Sequence, residues 1–190
     1  MVVLSERFVQ ALQYAHEIHR EHMRKGTDIP YITHLMSAAA LTLEHGGNED
    51  QAIAALLHDA VEDCGGLERL DDIREKFGDA VAQIVADCTD SWVEPKPAWR
   101  GRKEAYVESL RTKPESSLLV ALADKTHNAR SIVSDLHAIG ERHWDRFNAD
   151  RTGMLWYYRS LADAFQSRLP GALCRELQRN VDGMHAVDHH

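Results

Sequence analysis

Residues 58–63, HDAVED, bring an imidazole and three carboxylates onto one side of a predicted helix. At 100° per residue, the side chains of His58, Asp59, Glu62 and Asp63 fall within an arc of about 140°. Such closely spaced carboxylates repel one another, and this helix carries no lysine or arginine to offset the repulsion. The simpler interpretation is a solvated acidic face. A divalent cation would relieve the repulsion, and histidine with aspartate suits manganese, iron, cobalt or zinc better than calcium.

Two residues elsewhere in the chain extend this candidate metal set. His34 lies early in another predicted helix, within PYITHL, and Asp124 follows the apolar run LLVALA. A buried aspartate needs a charged or polar partner, so packing alone explains Asp124 poorly. The ordered set of His34, His58-Asp59 and Asp124 therefore indicates a metal site.

The composition is typical of one soluble globular domain. The 190 residues are 44% hydrophobic and 27% charged, with a net charge of −8. This acidic balance and the lack of a basic stripe argue against binding to long nucleic acid. No apolar run is long enough to cross a membrane, the N-terminus lacks a signal-peptide layout, and three scattered cysteines make no disulfide framework. We therefore expect a cytoplasmic protein without a membrane partner.

Helical patterns follow one another along the chain, and no segment alternates as a strand would. We predict an all-α fold, with one domain over residues 1–169 and a loose C-terminal tail over 170–190. The predicted helices are one capped by Ser5, then 32–45, 49–64, a short one from Asp71 or Asp72 to Phe77, 80–89 capped by Asp79, 103–111, 116–136 and 152–169. The longest predicted loop is 91–103. Residues 187–190, VDHH, resemble the start of a purification tag and carry no functional argument.

Four segments carry a resemblance to a known family: RKGTDIPYITHL, AALLHDAVEDC, FGDAVAQIVADCTD and LADKTHNARS. In this order they resemble the HD-domain metal-dependent phosphohydrolases over most of residues 5–165. The finer match is to the hydrolase domain of the RelA/SpoT family and to its stand-alone small alarmone hydrolases. The resemblance implies a single helical HD-domain bundle that removes the 3′-pyrophosphate from guanosine tetra- or pentaphosphate. No segment resembles the family's synthetase domain, so we expect no synthetase activity.

The resemblance also implies roles for individual residues. A metal, usually manganese, would be held by His34, His58, Asp59 and Asp124, and another divalent transition metal would also suit these ligands. Glu62 and Asp63 would lie beside the metal and position or deprotonate the attacking water.

The resemblance places further residues around a nucleotide substrate. The guanidinium of Arg24 would stack on the base beside Lys25, an arrangement that is physically reasonable. The alternative is that these are two solvated cations at a helix end. Lys103 would meet phosphate and Asn128 would lie near the ribose. Tyr157 or Tyr158 would line the ribose side, and we name Tyr158 for this role.

Several departures from the family pattern leave other substrates open. Leu35 replaces a proline and Cys64 replaces a threonine, changes that barely affect the metal chemistry. The longer interval from Lys25 to His34 and the insertion PKPAWRGRK lie where the base would be chosen. The alternatives are hydrolysis of the 2′-phosphate of NADPH, of an adenine alarmone or of a deoxynucleotide. A catalytically silent nucleotide sensor is a further alternative, against which the intact Glu62-Asp63 pair argues. The oligomeric state is left open.

For the remaining histidines and for the cysteine that follows the carboxylates, we predict no part in catalysis or metal binding. We predict that His127 supports its loop and that Cys64 is a small packing residue, because no base is positioned beside its thiol. The other histidines predicted to lie at the surface or at helix ends are His16, His19, His22, His45, His137 and His143.

Overall fold

The computed structural model describes residues 2–92, 97–147 and 149–186. Over these residues the protein is helical and has no strand, so the all-α prediction is confirmed. The α-helices are α1 Glu6–Ile18, α2 Ile32–Glu44, α3 Glu49–Leu57, α4 Ala60–Cys64, α5 Gly66–Phe77, α6 Asp79–Cys88, α7 Trp99–Ser109, α8 Glu115–Ile139, α9 Arg151–Arg168 and α10 Ala172–Ala186. A 3-10 helix, Gly140–Arg146, joins α8 to the segment before α9.

Side chains at several helix starts satisfy backbone N–H groups that have no partner within the helix. The Arg7 N–H donates to the Ser5 hydroxyl at 3.2 Å, as the sequence predicts for the first helix. Asn48 and Gln51 form a reciprocal capping box at the start of α3. Asp79 does not cap α6 as predicted, because Gly78 occupies the cap position and Asp79 is the first helical residue. These caps determine where α1 and α3 enter the bundle.

Two groups of buried residues form the core, and α8 contributes to both. One group consists of residues from α1 to α6 together with Val120 of α8. The other consists of residues from α7 to α10 together with Leu41 of α2 and most of the buried face of α8. Each fully buried leucine or phenylalanine contributes about 1.5–3 kcal/mol through the area removed from water. Burial of these apolar side chains therefore contributes much of the free energy that holds α2, α3 and α8 against one another.

The helix predicted over 49–64 is not continuous, and this prediction is wrong. α3 ends at Leu57 and α4 begins at Ala60, with His58 and Asp59 in a turn between them. The His58 ring contributes to this break, because its Nδ1 lies 2.8 Å from the carbonyl oxygen of Ala55. In a regular helix that oxygen accepts the N–H of Asp59, so side chain and backbone compete for it.

The C-terminal segment differs from the loose tail predicted over 170–190. Residues 172–186 form α10, which packs against α8 and α9 and buries one apolar face. The buried residues of this face are Leu173, Cys174, Leu177, Val181 and Met184. Their helical spacing is present in the sequence, but Pro170-Gly171 is a pattern that favours the end of a compact region. The tag-like residues 187–190 lie outside the described residues.

Two other boundaries differ from the predictions. The fifth helix begins at Gly66, five residues before the earliest predicted start at Asp71, because Gly65 and Gly66 turn the chain with φ of 133° and 61°. The predicted loop 91–103 is shorter, since α7 begins at Trp99, and residues 93–96 lie outside the described residues. None of the helices in the described part of the chain is long and apolar enough to cross a membrane.

Candidate metal centre and adjoining cavity

The four predicted metal ligands lie together where α2, α8 and the turn between α3 and α4 meet. The Nε2 atom of His34, in the first turn of α2, is 3.2 Å from Oδ1 of Asp124 and 3.7 Å from Oδ2 of Asp59. The Nε2 atom of His58 is 2.9 Å from Oδ2 of Asp59 and 3.5 Å from Oδ1 of Asp124. Adjacent side chains do not face each other on a regular helix, so the turn at residues 58–59 allows His58 and Asp59 to converge.

Both histidine rings are oriented by contacts at Nδ1. His58 donates through Nδ1 to the Ala55 carbonyl, which can only accept, so in the neutral ring the lone pair lies on Nε2. The Nδ1 atom of His34 is 2.8 Å from Nδ1 of His127. Both Nε2 atoms are buried, and neither makes a hydrogen bond of acceptable geometry within the described residues. Two orphaned imidazole nitrogens facing two carboxylates fit a divalent cation, with the ring orientation fixed as metal-binding histidines require.

The two carboxylates differ in their surroundings. Asp59 accepts a hydrogen bond of 2.5 Å from the Tyr31 hydroxyl, and its side chain is 24% exposed. Asp124 is 5% exposed and accepts hydrogen bonds of 2.6 Å from Lys125 Nζ and from the amide of Asn128. The negative charge of Asp124 is therefore balanced by the Lys125 ammonium group. The hydroxyl that donates to Asp59 is neutral.

Electrostatic interactions in the cluster favour charged carboxylates. Burial raises the pKa of Asp124, but Lys125 and then His58 outweigh burial and hold this pKa well below its usual value. Burial lowers the pKa of His58, but Asp59 and Asp124 outweigh it and hold that pKa well above its usual value. The two carboxylates thus attract positive charge to the point between the imidazoles, where a metal cation would satisfy them.

Glu62 and Asp63 lie on the short helix α4, immediately after the His58-Asp59 turn. The Glu62 carboxylate is 3.9 Å from the Arg102 guanidinium of α7. Arg102 donates at 2.6 Å to Asp90, which also accepts a hydrogen bond from Lys103. Burial raises the pKa of Asp90, but Lys103 and Arg102 lower it to about 2. Asp90 therefore holds two cations of α7 close to the acidic pair, a role that the sequence analysis did not identify.

A cavity of about 620 Å³ adjoins the metal cluster. All five residues predicted to contact the substrate lie in its wall: Arg24, Lys25, Lys103, Asn128 and Tyr158. Tyr157 also lines it, so the structure does not separate the two tyrosines. The cavity approaches the cluster through Asn128 and Lys125, both bonded to Asp124, and through His127, which contacts His34. The volume is within the range of about 300–1,000 Å³ typical of small-molecule sites.

The cavity wall is cationic although the protein as a whole is acidic. Among the described residues, five lysines and arginines line the cavity, namely Arg24, Lys25, Lys103, Lys125 and Arg130, whereas Asp135 is the only carboxylate of that described lining. Burial and Lys125 lower the pKa of Lys103, which Asp90 partly offsets. An anion bound beside Lys103 would stabilise the charge that burial and Lys125 disfavour. The chemical complement of this cavity is therefore a small anionic ligand.

Several residues of the site carry little signal in the sequence. Lys125 lies next to Asp124 in the sequence, but that position alone does not indicate a role in the site. For Tyr31, the partner of Asp59, its position within PYITHL is likewise the only local signal. His127 lies on α8 rather than in a loop, and its contact with His34 gives it a more specific structural role than predicted. His143 was predicted at the surface but is 2% exposed, and His19 at a helix end is equally buried.

An all-helical bundle with clustered histidines and aspartates beside a cationic cavity fits a class of helical proteins that bind a metal ion and a small anion. The family model described as the HD domain matches residues 11–154. The chain therefore belongs to the HD-domain family.

Known relatives refine this assignment. The chain is 35% identical over 127 residues to "Guanosine-3′,5′-bis(diphosphate) 3′-pyrophosphohydrolase MESH1" of Xenopus tropicalis, covering 65% of this chain and 68% of the relative. It is 32% identical to "Bifunctional (p)ppGpp synthase/hydrolase SpoT" of Escherichia coli, covering 68% of this chain but 18% of that longer protein. A solved structure described as a metazoan orthologue of SpoT that hydrolyses ppGpp superposes with a TM-score of 0.77 at 25% identity, covering 98% and 99% of the two chains.

Proposed function

We propose that this protein is a metal-dependent hydrolase that removes the 3′-pyrophosphate from guanosine tetraphosphate and pentaphosphate. The observation that carries the proposal is the cluster of His34, His58, Asp59 and Asp124 beside a cationic cavity of about 620 Å³. The relatives named for this hydrolysis support it. The overall reaction consumes one water and gives pyrophosphate and the nucleoside 5′-diphosphate or 5′-triphosphate.

We assign manganese to the cluster, with His34, His58, Asp59 and Asp124 as its protein ligands. When bound, the ion supplies Lewis-acid chemistry at the phosphoryl group and makes a bound water more acidic. The mixed nitrogen and oxygen donors suit manganese or another divalent transition metal. Ala55 and His127 would hold the two rings so that both Nε2 atoms face the same point.

Glu62 and Asp63 would act on the attacking water. In this proposal Glu62 accepts the proton of the water, and Asp63 positions that water for attack on the phosphorus. Arg102 lies 3.9 Å from Glu62 and would help to hold its carboxylate in place.

The cationic wall would bind the anionic substrate. We propose that Lys103 and Lys125 neutralise the pyrophosphate, because both line the cavity on the side of the cluster. Arg24 would offer its guanidinium plane to the base while its NH2 group donates at 2.7 Å to Asn128. Asn128 in turn donates to Asp124, so the base and ribose contacts are connected directly to a proposed metal ligand. Lys25 and Tyr158 would complete the nucleotide side of the wall.

A substrate panel tests the proposal. Purified protein with Mn²⁺ is incubated separately with guanosine tetraphosphate, its adenine analogue, NADPH and deoxynucleotides, and pyrophosphate and phosphate are measured. We expect pyrophosphate release from the guanosine compound at a rate well above release from any other. Equal or faster turnover of another substrate would overturn the guanosine assignment, and no turnover of any would support the sensor alternative.

Two pairs of variants test the residue roles. Glu62→Gln is expected to retain bound metal and lose turnover. The matched control is Glu68→Gln, at an exposed position on α5, which should retain both the bound metal and the turnover. His58→Ala is expected to lose the bound manganese, and the exposed His137→Ala is its control. Undiminished turnover in Glu62→Gln, or full manganese occupancy in His58→Ala, would contradict the respective role.

We further infer that the protein works in the cytoplasm, because its three cysteines are free thiols and the substrate is a small intracellular nucleotide.

A further inference from the structure

A second group of metal-ligating side chains lies outside the HD cluster. His19 and His22 belong to the turn that follows α1, and Cys64 is the last residue of α4. One donor atom from each of the three residues lies within 4.8 Å of the other two. None of these residues takes part in the function proposed above.

Two of the donor-atom distances are close to the edges of a tetrahedral zinc site. Zinc bonds of about 2.0–2.1 Å to nitrogen and about 2.3 Å to sulfur give edges of about 3.3 Å between two nitrogens and about 3.6 Å between nitrogen and sulfur. The Nδ1 atoms of His19 and His22 are 3.0 Å apart, and Sγ of Cys64 is 3.7 Å from Nδ1 of His19. A hydrogen bond between the two rings would explain the first distance. The thiol also lies 3.9 Å from Nε2 of His19 and donates at 3.5 Å to the carbonyl oxygen of Ile18, a hydrogen bond that ion binding would replace.

The backbone holds these donors in place before any ion binds. The His22 N–H donates to the His19 carbonyl at 3.0 Å, and the Tyr31 N–H donates to the His22 carbonyl at 2.9 Å. His19 is 2% exposed, and its ring stacks on Tyr31 with centroids 5.2 Å apart. The cluster therefore requires little rearrangement to bind a cation, which lowers the entropic cost of binding.

We propose that His19, His22 and Cys64 bind Zn²⁺ at a second metal site, separate from the HD centre. Two imidazoles and a thiolate are donors that suit zinc, in contrast to the imidazole and carboxylate donors of the HD centre. On binding, the Cys64 thiol releases its proton to solvent and the thiolate bonds to the ion, with the fourth tetrahedral position taken by water. The ion joins the end of α1 to the end of α4. It also supports Tyr31, the residue that donates to Asp59 of the HD centre.

Metal stoichiometry in single-site variants tests the proposal. Protein with reduced thiols is dialysed against Zn²⁺, and bound zinc per chain is measured by elemental analysis. His58→Ala, which weakens the HD centre, is expected to retain one equivalent of zinc. The double variant His58→Ala/Cys64→Ser is expected to retain none, whereas His58→Ala/Cys88→Ser, the matched thiol control, keeps the equivalent. Equal zinc binding with and without Cys64 would overturn the proposal.

Cobalt substitution supplies a readout that does not depend on stoichiometry or on activity. Co²⁺ bound to His58→Ala is expected to show thiolate-to-cobalt charge-transfer absorption and the strong visible bands of a tetrahedral ion. Cys64→Ser in the same background should abolish the charge-transfer absorption. His22→Gln changes a partly exposed residue and should weaken cobalt binding at least tenfold. A cobalt spectrum without a thiolate band, in protein shown by circular dichroism to be folded, would refute the site.

Discussion

Asp59 and Asp124 are both proposed metal ligands, but the structure predicts that they differ sharply in what they contribute to the metal-free fold. Lys125 lies 2.6 Å from Asp124 and has a largely buried side chain that is 16% exposed. Asp124→Asn keeps the shape and the acceptor for Asn128 but leaves the Lys125 charge without its counter-ion. Removing one partner of a buried ion pair costs about 3–5 kcal/mol.

The cost of Asp124→Asn in unfolding free energy should lie near the lower end of this range. Lys125 keeps some access to water and lies 5.2 Å from the centre of the Tyr106 ring, which partly stabilises its charge. We expect Asp124→Asn to lower the free energy of unfolding by about 3 kcal/mol, equivalent to about 6–12 °C in melting temperature for a chain of this size. Asp59→Asn should cost about 1 kcal/mol, because the Tyr31 hydroxyl can still donate to an amide oxygen.

The assay is urea unfolding in the presence of a chelator, so that metal binding does not contribute to the measured stability. Lys125→Met separates charge from packing, because in that background Asp124→Asn should cost only about 1 kcal/mol and give a coupling of about 2 kcal/mol. Equal destabilisation by Asp59→Asn and Asp124→Asn, or a coupling below about 0.5 kcal/mol, would refute the reasoning that Lys125 depends on Asp124.

Three further predictions follow from packing and linkage. Leu177→Ala in α10 should cost about 2–5 kcal/mol in urea unfolding, whereas a loose tail would leave stability unchanged. Gly47→Ala should cost about 1–3 kcal/mol by the same assay, because an added Cβ would lie 2.6 Å from Thr42 Cγ2 and 2.7 Å from its carbonyl oxygen. Gly101→Ala is the control, since its Cβ would meet nothing within 4 Å, and helix propensity should make it slightly stabilising. Mn²⁺ at about 100 times its dissociation constant should stabilise the wild type by about 2.7 kcal/mol, equivalent to about 5–11 °C in a thermal melt. A shift of the same size in His58→Ala would contradict binding at the HD cluster.

The identity of the proposed metal ligands was predictable from the sequence, but their immediate partners were not. His34, His58, Asp59 and Asp124 carry donor atoms whose chemistry is a property of each residue type. Lys125 follows Asp124 on α8, and neighbouring helical side chains normally diverge by about 100°, so the sequence offers no reason to expect their contact. The pairing requires both side chains to be confined at the junction of α8 with the cavity.

The contact between His58 and Asp59 is likewise not predictable from helical periodicity. Helical periodicity places both residues on a polar face, but it assumes a regular backbone over 49–64. The structure has a turn at this point, which brings the two adjacent side chains within 2.9 Å of each other. Periodicity is an average over a window and cannot locate a local competition for one carbonyl oxygen.

The sequence by itself determined the helical class, most helix boundaries and the donor atoms of the candidate metal centre, because these depend on local periodicity and on residue chemistry. Only the tertiary structure decided the cavity, the Lys125 and Asp90 ion pairs, the docking of α10 and the convergence of His19, His22 and Cys64. These features join residues distant in the chain, such as Arg24 and Asn128, whose side chains meet at 2.7 Å. Their distances result from the burial of apolar surface between α2, α3 and α8, which is a property of the packed bundle as a whole.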